Sequence, residues 1–228
     1  PNGIKHLDVT AMDFWSNVSS TTLEIDLENP APVLDAVPPD DSFNGTTLDG
    51  SKWFPDPTGG AAVAQDEKLV LSTGEKEAQS SASVKSYWSF PGDFDVQVDF
   101  QIGEGWRSPA QEHVDGAYLA ACIDGQDYRI TRLRSSGEDK LVTWSSTGAL
   151  TRDWSTNALA GKYRLVRTGT NLTLLFDIGE GWKELASTSV PEGAALIILG
   201  SASVNASMAF TTYFDNFKIN SGLTTYKP

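Results

Sequence analysis

The sequence is poor in the residue types that make catalysis and metal binding easy to read. It holds one cysteine and two histidines in 228 residues. A lone Cys122 excludes any internal disulfide, and its place in the apolar run Tyr118 to Ile123 reads as a small buried hydrophobe. A nucleophilic thiol would need a base beside it, and neither His6 nor His113 belongs to a motif. Basic residues are also scarce: 17 Lys and Arg stand against 30 Asp and Glu, a net charge of −13. No Lys/Arg cluster occurs, which excludes nucleic acid as a partner, because affinity for phosphate backbones comes from such clusters. No unbroken apolar run exceeds seven residues, and the one at Ala194 to Leu199 reads as a buried strand. It is far short of the roughly 20 residues that a membrane-spanning helix takes, so no membrane insertion is expected. No window of helical length carries a 3.6-residue apolar period. The sequence contains no signal peptide and starts at Pro1 rather than Met, which reads as a processed or excised piece of a longer protein.

Period-two alternation is what the chain has in quantity. Phe94, Val96, Val98, Phe100 and Ile102 alternate with Asp95, Gln97, Asp99 and Gln101, so the apolar set takes one face of a strand. Leu172, Leu174, Phe176 and Ile178 repeat the pattern. Further strands are expected at Ala61–Ser72, Gln79–Phe90, Gly116–Ile123, Tyr128–Arg134, Lys140–Ser145, Lys162–Arg167, Trp182–Thr188 and Met208–Ile219. Turn residues separate them, among them Asp124-Gly125 and Ser136-Gly137. The sequence IGEGW occurs at Ile102–Trp106 and again at Ile178–Trp182, and both copies read as hairpin loops. Many short strands at this spacing predict an all-β, two-sheet antiparallel jelly-roll sandwich. Asp40 to Phe54 is expected to be its opening strand, laid beside a closing strand at Tyr213 to Ile219. Three segments follow: an N-terminal two-strand appendage at 1–29, a proline-rich linker at 30–41, and the sandwich at 42–228.

Four stretches together resemble the concanavalin-A-like lectin/glucanase superfamily, and within it the laminin-G-like domains. They are FNGTTLDGSKW at Phe43–Trp53, GDFDVQVDFQI at Gly92–Ile102, GKYRLVRTGTNLTLLFDIGEGW at Gly161–Trp182, and YFDNFKI at Tyr213–Ile219. The resemblance implies a jelly roll, with sugar binding as a tendency of the fold. It also implies one structural calcium ion between opening and closing strands, for which Asp40, Asp41 and Asp215 stand in the right places. Residues 1 to 29 resemble the last hairpin of a bacterial immunoglobulin-like repeat, with a turn at Asp13–Asn17 and an exit at Asn29–Pro32. The strand LEIDLE resembles the E-x-D-x-E signature of laminarinase-type glucanases. That would make Glu24 a nucleophile and Glu28 an acid/base, with Asp26 tuning them. In those enzymes several strands precede the signature, so here it would require a circular permutation.

Seven tryptophans are many for this length. Trp144 and Trp154 flank the loop SSTGALTRD, where an exposed indole could stack on a sugar ring. Arg132 and Arg134 share one face of the strand YRITRLR, and Asp115 and Asp127 lie nearby, which together outline a sugar cleft. The function expected from these features is a non-catalytic extracellular or cell-surface module that binds carbohydrate or mediates adhesion. The alternative is a self-assembling subunit of a filament, surface layer or virion, whose N-terminal strands add to a neighbouring subunit's sheet. A third reading is the permuted glucanase.

Overall fold

The structure, a computed structural model, describes residues 3–12, 18–27, 34–35, 40–75, 79–106, 114–135, 137–148, 151–204 and 209–226. In chain order the strands begin with β1 (Gly3–Met12), β2 (Val18–Leu27), β3 (Leu34–Asp35), β4 (Trp53–Pro55), β5 (Ala62–Gln65) and β6 (Leu69–Ser72). Then come β7 (Gln79–Phe90), β8 (Phe94–Ile102), β9 (Val114–Ile123), β10 (Gln126–Ser135), β11 (Glu138–Ser145) and β12 (Arg152–Ser155). The last are β13 (Ala160–Thr168), β14 (Asn171–Asp177), β15 (Lys183–Ser189), β16 (Ala195–Val204), β17 (Thr211–Ser221) and β18 (Thr224–Tyr226).

The chain divides into two compact units, residues 1–33 and 34–228. In the first, β1 and β2 pair antiparallel without a bulge from Gly3↔Leu27 to Met12↔Val18. The turn expected at Asp13–Asn17, Glu28 and the exit at Asn29–Pro32 lie outside the described residues. The second unit is an all-β sandwich of two antiparallel sheets. Among the described residues the larger sheet has nine strands in the order β12-β11-β10-β9-β16-β7-β18-β3, with β4 also paired to β7. The smaller has seven, in the order β15-β14-β13-β8-β17-β6-β5. Part of the proline-rich segment joins the sandwich, because Leu34 and Asp35 pair with Thr225 and Thr224.

The alternating strands do what their pattern predicts. Phe94, Val96, Val98 and Phe100 of β8 and Leu172, Leu174 and Phe176 of β14 are buried between the sheets. From the larger sheet they meet Leu119, Ala121, Ile123, Ile130 and Leu141. The expected strand Ala61–Ser72 is two strands: β5 and β6 fold back on each other through a turn with Glu67 at φ 54°.

The opening segment differs most from expectation. Asp40 to Phe54 is not a strand beside β17. Its backbone pairs with β17 only at the bridge Asp41↔Phe217, whose two hydrogen bonds are 2.9 and 2.8 Å long, and the Asp40 carboxylate accepts from the Ile219 amide beside it. It then loops across the sandwich, and Trp53 to Pro55 pair with β7 in the other sheet. The Asp41 carboxylate fixes this path. One oxygen accepts from the Phe43 amide at 2.8 Å, and the other accepts from the Trp53 indole N–H at 2.9 Å. The path seats Phe43 and Trp53 in an aromatic cluster with Trp88 and Phe217, the Trp53 ring standing edge-on to Phe217 at 5.2 Å.

Removing the carboxylate strands two donors, and each buried unsatisfied donor costs about 1–3 kcal/mol. Asp41→Ala should therefore lower the unfolding free energy by about 2–4 kcal/mol in urea denaturation, while the exposed Asp153→Ala should stay within about 0.5 kcal/mol.

Candidate functional site

Alternation along β10 and β11 decides which predicted residues can meet a ligand. On β10, Tyr128 and Ile130 are in the core, so Arg132 and Arg134 point inward with them. Arg132 is fully buried: its Nε donates to the Ala158 carbonyl at 2.8 Å, and one terminal nitrogen lies 3.2 Å from the Asp139 carboxylate. Its backbone N–H donates to the Tyr163 hydroxyl at 2.8 Å, which itself donates to the Ala117 carbonyl at 3.0 Å. Burial raises the pKa of that phenol far above its ordinary range, so it stays protonated. Arg134 shares the Asp139 carboxylate, and Asp115 is buried on the same inner face. Trp154 faces Leu141 across β11 and β12, and so points inward at the sandwich edge, its ring 5.5 Å from that of Phe176. Arg132, Arg134 and Asp115 thus face the core side of the larger sheet, while Trp154, 43% exposed, stands at the sandwich edge with the Lys183 ammonium 5.0 Å from its ring, so the expected residues are not brought together in one cleft.

Trp144 and Asp127 take the opposite, outer face, where the structure builds a groove of about 340 Å³. Its floor is Tyr118 and Cys122 of β9 with Leu196 and Ile198 of β16. Its walls carry Asp127 and Arg129 on one side and Asp56, Ser83 and Lys85 on the other. Charges are matched within it. The Arg129 guanidinium lies 2.6 Å from the Asp127 carboxylate, and Lys85 lies 2.6 Å from Asp56. The guanidinium also sits over two rings, 4.7 Å from the Tyr118 centroid and 4.6 Å from that of Trp144. Each such contact is worth about 0.5–2 kcal/mol, so the indole is held in place although it is 44% exposed. Gly200 makes room for this stack, because a Cβ there would lie 2.2 Å from the Tyr118 ring. The Tyr118 hydroxyl bonds to Ser81, and burial pushes its pKa up. Sequence reasoning missed Tyr118, Arg129, Asp56 and Lys85. A signal for Arg129 was present: the sequence pair Ser136-Gly137 predicts a tight hairpin, and the β10–β11 register pairs Arg129 with Trp144.

A larger hollow of about 450 Å³ lies against the smaller sheet, with Lys68, Asp99, Lys162, Asp177 and Asp215 among its lining. Its polar groups are spent on one another and on the backbone. Lys162 pairs with Asp99 at 3.3 Å, Lys68 donates to Gln101 at 3.1 Å, and Asp177 caps the second IGEGW turn by accepting from the Gly179 and Gly181 amides. In the first IGEGW copy, Trp106 does not restart a strand but is buried, its indole N–H donating to Asp139 at 3.1 Å.

Asp40, Asp41 and Asp215, expected to hold calcium, spend carboxylate oxygens on donors within the chain. Asp41 has both oxygens committed, Asp40 accepts from the Ile219 amide at 2.9 Å, and Asp215 accepts from the Asn216 amide at 2.7 Å. Among the described residues no group of three His, Cys, Asp or Glu side chains is placed to hold a metal ion.

No protein-family model and no curated protein matches the sequence. Solved structures match in fold. A β-1,3-glucanase from Mycobacterium marinum has a TM-score of 0.58 at 14% identity, over 81% of this chain and 99% of its own. A Bacillus licheniformis β-glucanase has 0.56 at 10%, over 83% and 97%. A protein of Mycobacterium tuberculosis described as a pseudo β-1,3-glucanase has 0.54 at 12%, over 83% and 98%. The chain therefore has the concanavalin-A-like jelly-roll fold that the sequence resembles. The expectation that it is not an enzyme is overturned by the same neighbours, since structures of this fold are named glucanases and glycoside hydrolases.

Cys122 reports on the groove. Burial pushes its thiol pKa up, and the Asp127 charge and a hydrogen bond to that carboxylate push it further. Alkylation by iodoacetamide should therefore show a midpoint pH above that of an ordinary cysteine. Asp127→Asn should move the midpoint down, and an unmoved midpoint would show that the two side chains are not coupled.

Proposed function

We propose that the chain is a carbohydrate-active protein whose outer-face groove takes a segment of a β-linked glucan. The observation that carries this is the Arg129 guanidinium clasped between the Tyr118 and Trp144 rings. It presents a half-exposed indole for stacking on a sugar ring, beside Asp127, Asp56 and Lys85 as hydrogen-bond partners for hydroxyls. The charge-matched groove suits a neutral ligand on a protein that is otherwise acidic. The names of the fold neighbours support a β-glucan as the polymer. Glycoside cleavage uses a pair of carboxyl groups, and Asp56 and Asp127 are the two that the groove offers.

Calorimetric titration with laminarin and lichenan tests the reading, with reducing-end release measured on the same mixtures. Binding is expected, and Trp144→Ala should weaken it about tenfold, the equivalent of one lost stacking contact of about 1–1.5 kcal/mol. Undiminished binding by that variant would remove the groove from the account.

A second reading concerns residues 1–33. Their two ten-residue strands form a sheet of their own, and an isolated two-stranded hairpin is marginal in water. A third strand from a neighbouring subunit would complete it. Light scattering should then show the intact chain as an oligomer and a chain lacking residues 1–33 as a monomer. A monomeric intact chain at high concentration would remove this reading.

A further inference from the structure

The strand registers of the larger sheet align one continuous row of outward side chains. Trp144 stands opposite Arg129, and Arg129 opposite Ala120. Ala120 faces Ile198, Ile198 faces Lys85, and Lys85 faces Phe54. The row thus crosses β11, β10, β9, β16, β7 and β4 at right angles to the strands. Its middle is the groove floor and walls, and both ends are exposed aromatics, Trp144 at 44% and Phe54 at 47%. Phe54 is not alone at its end. Tyr87, 40% exposed, packs edge-on to it with ring centroids 6.0 Å apart. Two large aromatic side chains this exposed and in contact with each other are not explained by the core, to which neither belongs.

We propose that the Phe54–Tyr87 pair is the far end of the same binding path, so that the ligand lies along the row and must be an extended chain long enough to touch both ends. This rests on the glycan-binding reading above. Five strand spacings of about 4.8 Å give a path of roughly 24 Å, the reach of about five linked pyranose rings. Lys85 and Arg129, each neutralised by its carboxylate, mark the inner positions where hydroxyls rather than ring faces would be met. Ala120 and Ile198 in the middle of the row are buried, so the chain would dip there between the Arg129 and Lys85 walls. An extended β-1,4-linked run fits a row of this length, and a coiled chain does not.

The test is a length series of linear β-linked gluco-oligosaccharides, from two to six units, titrated into the full chain. Affinity should climb about tenfold or more between three and six units. In the double variant Phe54→Ala, Tyr87→Ala the climb should disappear while the dimer and trimer bind as before, and thermal unfolding should confirm that the surface change leaves the fold intact. Trp144→Ala should weaken every length. A hexamer bound no more tightly than a trimer, or a double variant that keeps the full climb, would overturn the extended path and leave the groove as the glycan site. No binding at any length, or to the polysaccharides, would overturn both.

Discussion

Asp41 sits where the two ends of the sandwich meet, and its carboxylate has no oxygen to spare. Its backbone bonds to Phe217 on the closing strand, while its side chain holds the Phe43 amide and the Trp53 indole. These contacts are 2.8–2.9 Å long and partly shielded from water, where a hydrogen bond to a charged acceptor is worth more than a neutral one. They direct the chain from the smaller sheet to the larger one within about a dozen residues. The aromatic cluster of Phe43, Trp53, Trp88 and Phe217 fills the space this crossing leaves. The crossing also delivers β4 to the edge of β7, and with it Phe54 and Asp56 to the outer face. The groove wall on that side therefore depends on a half-buried carboxylate that does not itself line the groove.

How much of this was legible depends on how local the determinant is. The strands with clean alternation, β8 and β14, were read correctly because their burial pattern is written in neighbouring residues. The opening segment was misread because Phe43 and Trp53 look like strand residues. Their burial is arranged by side-chain hydrogen bonds and by a bridge to a residue far along the chain, which no local pattern encodes. For the same reason Asp40 and Asp41 resembled metal ligands until their oxygens were seen to be committed to backbone and indole donors.

The candidate site divides along the same line. Placing Arg132 and Arg134 in a cleft overlooked the parity of their own strand, since Tyr128 and Ile130 assign that face to the core. The hairpin turns at Asp124-Gly125 and Ser136-Gly137 were both visible, and together they set Ala120, Arg129 and Trp144 side by side. The remaining half of the row was beyond reach. It depends on β16 returning between β9 and β7, a pairing between segments about 70 to 125 residues apart.

The two arginines three residues apart on β10 show how one strand can serve both layers. Arg132, turned inward, is worth its desolvation only because Asp139, three carbonyls and the Trp106 ring surround it, and it joins the loops at the end of the sandwich. Arg129, turned outward, is stacked between two rings and paired with one carboxylate, which leaves an exposed aromatic surface held rigid by charge. Rigidity of that kind lowers the entropy lost when a flat ligand stacks on the surface. Lysine in its place would keep the charge but lose the planar group that lies over both the Tyr118 and Trp144 rings. The geometry of the groove thus follows from a property of the guanidinium itself, and the inner arginine contributes to it only by keeping the sheet that carries them both in register.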